Sequence, residues 1–355
     1  MSYILPPRKR PLRLQPDNFT PARRTPWGGR RLLERYKDGL VPPRNEVVGE
    51  SWELSVEPDF PSRLADEDAT LAERVAADPE GLVGAERAAE WGSTGLLVKL
   101  LDAAAPLSVQ IHPSDDDPAL GPEESGKPES WYVLDAEPGA GLYLGLAEGV
   151  DEAGMRQAIE AGEDVSALLP FVPVAPGDFF VIEAGTPHAI GPGLTLVEPQ
   201  RVLPGRRGLT YRYWDWNRRY DAEGREDPAG APRELHLERA LAVTRWDRPR
   251  GEAFLPEVRR RHGAPDLAGP ASRADLVGDL AFPWIGAERW AGTGALPVPA
   301  MPRLRSLTVL GGAVTLRGEG VALSLRRGET AALPAGLAPL EARLEDAHAL
   351  VAWIP

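Results

Sequence analysis

The chain has 355 residues and a formal net charge of −13, which argues against nucleic-acid or anionic-membrane binding, because phosphate contacts need clustered Lys and Arg; a small phosphorylated ligand needs only two or three local cations. It has no Cys, so disulfides, thiolate metal sites and Cys nucleophiles are excluded. The hydrophobic fraction of 43% is that of a folded protein, the 37 Gly and 37 Pro mark the many tight turns of a β-rich chain, and the length fits two or three domains.

The opening segment, MSYILPPRKRPLRLQP, lacks the apolar core of a signal peptide, and no apolar run approaches a bilayer span, so a soluble, cytoplasmic protein is expected. Up to residue 60 the sequence reads as short extended pieces between Pro and Gly, with ESWELSV (50–56) as a strand. Leu71–Ala77 is expected to be a short helix with Thr70 as its N-cap. LLVKLLDA (96–103) reads as a buried strand, and Pro106 separates it from LSVQIHP (107–113). A polar loop, Ser114–Pro128, leads to two further strands, ESWYVLDA (129–136) and AGLYLGL (140–146). Val150–Leu169 is the best helical segment between strands. PGDFFVIEAG (176–185) and LTLVEPQ (194–200) return to strand, and ELHLERALAVT (234–244) is a second helix. Residues 251–302 are Gly/Pro-rich and mixed, and from Leu304 onward the chain alternates again as strand.

One internal echo stands out. Gly177, Glu183, Gly185 and His188 recur after a shift of 151 as Gly328, Pro334, Gly336 and Pro339. Each copy runs from a Gly through apolar residues to a Gly-containing turn. The echo suggests two β-barrels of similar build, the second carrying Pro339 where the first has His188 and therefore holding no metal.

Of the five His, His236 falls in a helical pattern, His348 in a strand and His262 in a solvated loop. His112 and His188 each end a strand beside a turn. Gln110 and His112 stand two apart, so on a strand they share a face. Glu129 opens the next strand and can approach His112 if the two strands pair antiparallel. Without Cys, a divalent metal must be held by imidazole, carboxylate and amide, a set compatible with zinc, iron, copper or nickel. Gln110, His112, Glu129 and His188 form such a set, with a water or substrate oxygen to complete it. Strand-end His residues also serve as packing or capping groups, and that alternative stands beside the metal reading.

These segments resemble the cupin superfamily, and more narrowly the type I phosphomannose isomerases. LSVQIHP, GKPESWYVLDA, PGDFFVIEAGTPHAIGPG, TYRYWDWNR and RELHLERAL follow the family's order over about residues 20 to 245, and TPWGGRRL and GESWELS resemble its opening segments. The resemblance implies a mainly β protein: two cupin-type jelly-roll β-barrels with helical insertions. Residues 1–245 would be the catalytic cupin domain with the metal site, and residues 246–355 a cupin-like barrel without metal ligands. It implies one Zn2+ per chain on Gln110, His112, Glu129 and His188. It implies a small phosphosugar as substrate, mannose 6-phosphate exchanging with fructose 6-phosphate through an enediolate. Lys127 and Arg212 would line the pocket and handle the oxyanion and proton traffic, with a nearby cation lowering the Lys127 pKa. Ser108 would reach the substrate.

The sequence departs from the family's pattern in several places. The link before TYR, RVLPGRRGL, is longer than the family's, and its Arg206 and Arg207 either contact the phosphate or lie in water. The long helical domain of larger members is reduced to Val150–Leu169, and Glu183 replaces the usual turn Pro. Trp214 and Trp216 can stack on a sugar, although alternate Trp residues on a strand more often belong to a core. Two other readings fit the same residues: another metal-dependent cupin enzyme, such as an iron dioxygenase, and a non-enzymatic sugar-binding cupin.

Overall fold

The structure, a computed structural model, describes residues 9–355; the first eight residues of the opening segment lie outside it. In chain order, strand β1 is Leu12–Arg13, β2 Glu50–Leu54, β3 Leu96–Ala103, β4 Val109–Ile111, β5 Glu124–Ser125, β6 Glu129–Ala136 and β7 Gly141–Leu144. Strands β8 (Phe171–Pro173), β9 (Asp178–Ile182), β10 (His188–Ile190), β11 (Leu194–Arg201), β12 (Arg207–Gly208) and β13 (Tyr211–Trp214) follow. A hairpin of β14 (Arg219–Tyr220) and β15 (Ala231–Pro232) leads to β16 (Arg259–Arg261), β17 (Ser272–Asp275), β18 (Gly286–Val298), β19 (Arg305–Gly318), β20 (Val321–Arg326), β21 (Thr330–Leu333) and β22 (Leu340–Trp353). Helices α1 (Leu71–Ala77), α2 (Pro79–Val83), α3 (Ala85–Trp91), α4 (Glu152–Glu160), α5 (Leu237–Val243) and α6 (Leu255–Val258) lie between strands. Among the described residues no helix is long and apolar enough to cross a membrane.

The protein is mainly β, as expected. A six-stranded sheet runs β16-β9-β6-β11-β3-β2, a five-stranded sheet β13-β4-β10-β7-β8, and a seven-stranded sheet β1-β21-β19-β22-β18-β17 with β20 beside β19. Among the described residues each path has two free ends, so the sheets form open layers and none closes on itself. Val133, Ile182 and Leu196 of the six-stranded sheet share one buried cluster with Leu142, Leu144 and Ile190 of the five-stranded sheet. Leu310, Ala332 and Leu350 of the seven-stranded sheet belong to the same cluster. Covered on both sides, β3 and β11 are buried along their whole length, which is why LLVKLLDA reads as a nearly continuous apolar run rather than an alternating one. The other face of the five-stranded sheet, with Val109, Ile111, Tyr211 and Tyr213, packs on Met155 and Ile159 of α4 and Ala240 and Leu241 of α5.

Local chemistry sets the element ends. Thr70 and Glu73 form a reciprocal capping box that starts α1. The helix expected over Val150–Leu169 is shorter. It ends at Glu160, Gly162 follows at φ +70°, and a 3-10 turn at Val165–Leu168 completes the segment. Two short helices over 79–91 and the long strand β18 were not anticipated. Lys37 is fully buried and places its Nζ 2.6 Å from Glu53 Oε1 and 2.7 Å from the Gly328 carbonyl. Thr330 donates to Glu53 Oε2 at 2.7 Å. This network and the β1–β21 pairing tie the N-terminal segment to the seven-stranded sheet.

Candidate metal centre and cavity

Strand alternation places Gln110 and His112 on the inner face of the five-stranded sheet. Antiparallel register sets His188 of β10 on one side of Gln110 and Arg212 of β13 on the other, so these three side chains form a row. The expected pairing of the strands that carry His112 and Glu129 is not present: β4 and β6 belong to different sheets. Glu129 instead reaches His112 across the sandwich, with Oε1 3.0 Å from His112 Nε2 and Oε2 4.0 Å from His188 Nε2. Ligand atoms of His112, Glu129 and His188 all lie within 4.8 Å of one another, and all three residues are buried.

The hydrogen bonds around the imidazoles fix their tautomers. His112 Nδ1 donates to the Leu209 carbonyl at 2.9 Å, and His188 Nδ1 to the Thr186 carbonyl at 2.8 Å. A carbonyl only accepts, so each Nδ1 carries the hydrogen and each Nε2 turns a lone pair inward. Burial and the Lys127 charge lower the His112 pKa; burial and His112 push His188 down to about 3. Burial alone would raise Glu129, but the Lys127 charge leads the causes that outweigh it and hold its pKa well below the usual carboxylate value. Two neutral imidazoles thus face one carboxylate with no hydrogen to share between them, and His112 Nε2 and Glu129 Oε2 have no hydrogen-bond partner. Buried lone pairs that converge in this way repel unless a cation stands among them. The donor set fits a divalent metal. The Gln110 amide nitrogen is 3.4 Å from His188 Nε2, and a half-turn of the amide places its oxygen there instead.

Above the centre is a cavity of about 560 Å³ whose walls include Ser108, Gln110, Lys127, Glu129, Glu198 and Arg212. Lys127 Nζ is 2.7 Å from Glu129 Oε1, and Gln200 donates to the same oxygen at 2.7 Å. Burial lowers the Lys127 pKa, but Glu129 and Glu198 outweigh it and hold it above its ordinary value. Arg212 donates from Nη1 to the Glu234 carbonyl at 2.7 Å. Arg206 and Arg207 line the mouth as exposed residues, and Arg207 is bonded to Glu124 at 2.9 Å. Trp214 and Trp216 are packed together, ring centroids 4.7 Å apart, in the cluster beneath α4 and α5; neither lines the cavity, so the sugar-stacking option does not hold. Of the remaining His, His348 bonds the Tyr132 hydroxyl at 3.0 Å, His262 the Leu276 carbonyl at 3.1 Å, and His236 accepts from the Arg212 amide at 3.1 Å.

Two cavity residues were missed from sequence. Lys99 and Glu198 are register partners on β3 and β11. Lys99 Nζ lies 3.6 Å from Glu198 Oε2 and 4.7 Å from the Trp52 ring centroid. Glu198 accepts from Trp131 Nε1 at 2.9 Å, and burial together with Glu129 pushes its pKa up to about 8. The available signal was a lone charge within each of two otherwise apolar buried runs, LLVKLL and LTLVEP.

A family model described as phosphomannose isomerase type I, catalytic domain, matches residues 21–137. The mannose-6-phosphate isomerase of Streptococcus mutans is 36% identical over 226 residues, 63% of this chain and 65% of that protein; the chain therefore spans about two-thirds of that relative's length. A Bacillus subtilis protein assigned as a mannose-6-phosphate isomerase, YvyI, is 31% identical over 235 residues, 65% of this chain and 67% of that protein. The crystal structure of the mannose 6-phosphate isomerase from Bacillus subtilis superimposes with a TM-score of 0.77 at 25% identity, covering 97% of this chain and 99% of that one.

Proposed function

The chain belongs to the type I phosphomannose isomerase family, an isomerase family, and on that premise we propose that it is a zinc-dependent isomerase that interconverts mannose 6-phosphate and fructose 6-phosphate. The observation that carries the proposal is the convergence of two inward imidazole lone pairs and an ionised Glu129 beneath a cavity. Gln110, His112, Glu129 and His188 would hold one zinc per chain, a four-donor nitrogen and oxygen set without thiolate. Bound there, zinc supplies Lewis-acid polarisation of the sugar's carbonyl and hydroxyl oxygens.

The chain's own residues do the rest. The isomerisation moves a proton between C1 and C2 through an enediolate. Lys127, kept charged by the carboxylates around it, is a fixed cation beside the developing oxyanion. Glu198 lines the same cavity, 3.6 Å from Lys99, where a carboxyl can hold or release a proton. Ser108 and Arg212 bound the substrate from the five-stranded sheet. In this reading residues 1–245 carry the chemistry and 246–355 support it, and the partner is a small phosphosugar in the cytoplasm rather than nucleic acid or a membrane.

A coupled assay of mannose 6-phosphate isomerisation, run with and without a chelator beside elemental analysis, tests the proposal. The expected result is about one zinc per chain and activity that disappears on chelation and returns with zinc. Isomerisation unaffected by complete metal removal would defeat it.

A further inference from the structure

We propose that Asp115 and Arg201 form a brace that positions Lys127 in the cavity, so that both act on the reaction through that lysine. The inference rests on the isomerase reading above, in which the Lys127 ammonium stands beside the developing oxyanion. The cavity wall includes Lys127 but neither Asp115 nor Arg201, so the two are positioning residues and do not touch the substrate.

Lys127 belongs to no strand. It lies between β5 and β6, after Gly126 and before Pro128. A residue before proline is confined to extended backbone, so the direction of its side chain follows how its two neighbours are held. Gly126 donates its amide to Asp115 Oδ1 at 3.0 Å. The Pro128 carbonyl accepts from the Arg201 amide at 3.0 Å. The other Asp115 oxygen, Oδ2, pairs with the Arg201 guanidinium. These contacts close a ring around Lys127: Asp115 holds the residue before it, Arg201 the residue after it, and the ion pair joins the two holders.

Packing tightens the ring. A Cβ on Gly126 would come within 2.6 Å of the Pro113 carbonyl oxygen, and one on Gly208 of β12 within 3.2 Å of the Lys127 stem. With its backbone pinned and its stem against β12, Lys127 delivers Nζ 2.7 Å from Glu129 Oε1. The neighbouring acids serve their own turn, Asp116 accepting from Ser114 and Asp117 from the Ala119 amide. Asp115 instead reaches partners 11 and 86 residues on. Arg201 is buried, and the Trp284 ring from the C-terminal part of the chain covers its guanidinium at 4.7 Å from the ring centroid. An ion pair kept from water is screened less than one at the surface, which suits it to hold a loop in one place.

The test compares Asp115→Asn, Arg201→Met and the double variant by steady-state kinetics, zinc content and amide hydrogen exchange over residues 114–128. Each is expected to lose about ten- to a hundred-fold in kcat, the effect of moving a catalytic group by about 1 Å. KM should stay within about two-fold and zinc should be retained, because an interaction made in the transition state alone lowers kcat and kcat/KM together. Exchange over 114–128 should be faster in all three. The double variant should be no worse than either single one, since all three remove one brace; having no stranded guanidinium, it also decides the matter if Asp115→Asn fails to fold. Arg201→Lys, which keeps the charge, should recover part of the lost kcat. Wild-type kcat in a folded double variant overturns the assignment, as do losses that multiply in the double variant, a loss confined to KM, or a loss of zinc alongside activity. Faster exchange in the variants of a chain that has no isomerase activity sinks only the catalytic reading; isomerase activity with exchange unchanged in the variants sinks only this one.

Discussion

Replacing Glu129 by Gln separates the electrostatic role of the carboxylate from its shape. Its Oε1 lies 2.7 Å from Lys127 Nζ and 3.0 Å from His112 Nε2, and the Lys127 side chain is only 14% exposed. Removing one member of a buried pair costs about 3–5 kcal/mol, because the surviving charge is left uncompensated. The new amide can donate to His112 Nε2, which keeps the loss at the lower end, about 3 kcal/mol. For 355 residues the unfolding entropy is about 0.75 kcal/mol/K at roughly 2.1 cal/mol/K per residue, so the chelated variant should melt about 4 °C below chelated wild type. Adding Lys127→Met to Glu129→Gln removes the stranded ammonium and should recover most of that difference. Thermal melts of the chelated proteins at pH 7, followed by circular dichroism, are the assay. Equal melting of wild type and Glu129→Gln, or no recovery in the double variant, would refute the view that Lys127 and Glu129 are an interdependent buried pair.

Three further outcomes are expected. His112→Ala should lose zinc and isomerase activity together, and zinc at wild-type occupancy by elemental analysis would contradict the ligand assignment. Glu198 has its folded-state pKa raised to about 8 from an ordinary 4.5, so the stability it permits is full below pH 4.5 and lost as pH rises through 8; in chelated protein, Glu198→Gln should gain in Tm relative to wild type across that window, and a constant difference at all pH values would count against the raised pKa. Gly328 adopts φ +87°, and a Cβ there would lie 1.7 Å from the Tyr36 carbonyl oxygen; Gly328→Ala should therefore cost at least about 2 kcal/mol in a urea melt.

The elements that were legible in the sequence are those whose pattern is local. The helix Leu71–Ala77 could be read to the residue because Thr70 and Glu73 announce its start. ESWYVLDA and LLVKLLDA were bounded correctly because turn residues flank each. The three residues that now converge, His112, Glu129 and His188, were each visible as a polar group at a strand end. What sequence does not carry is which sheet a strand joins. Glu129 could approach His112 if their strands paired in one sheet; it arrives instead from the facing sheet, because β6 finds its partners in β9 and β11. Lys99 and Glu198 went unread because their meaning depends on being register partners 99 residues apart. The mixed segment 251–302 concealed β18, a 13-residue strand whose Gly292 and Gly294 interrupt the pattern at a bulge.

The Lys37–Glu53 network has a consequence for how the chain comes together during synthesis. The fully buried Lys37 ammonium takes its second partner from the Gly328 carbonyl, and Arg13 pairs with Ala331, roughly 300 residues later. Glu53 sits on the strand that also presents Trp52 to the cavity. A nascent chain released only as far as residue 300 would therefore hold a lysine answered by Glu53 alone and an unmatched edge against one wall of its own pocket. Construction of that wall waits on the last strands to leave the ribosome.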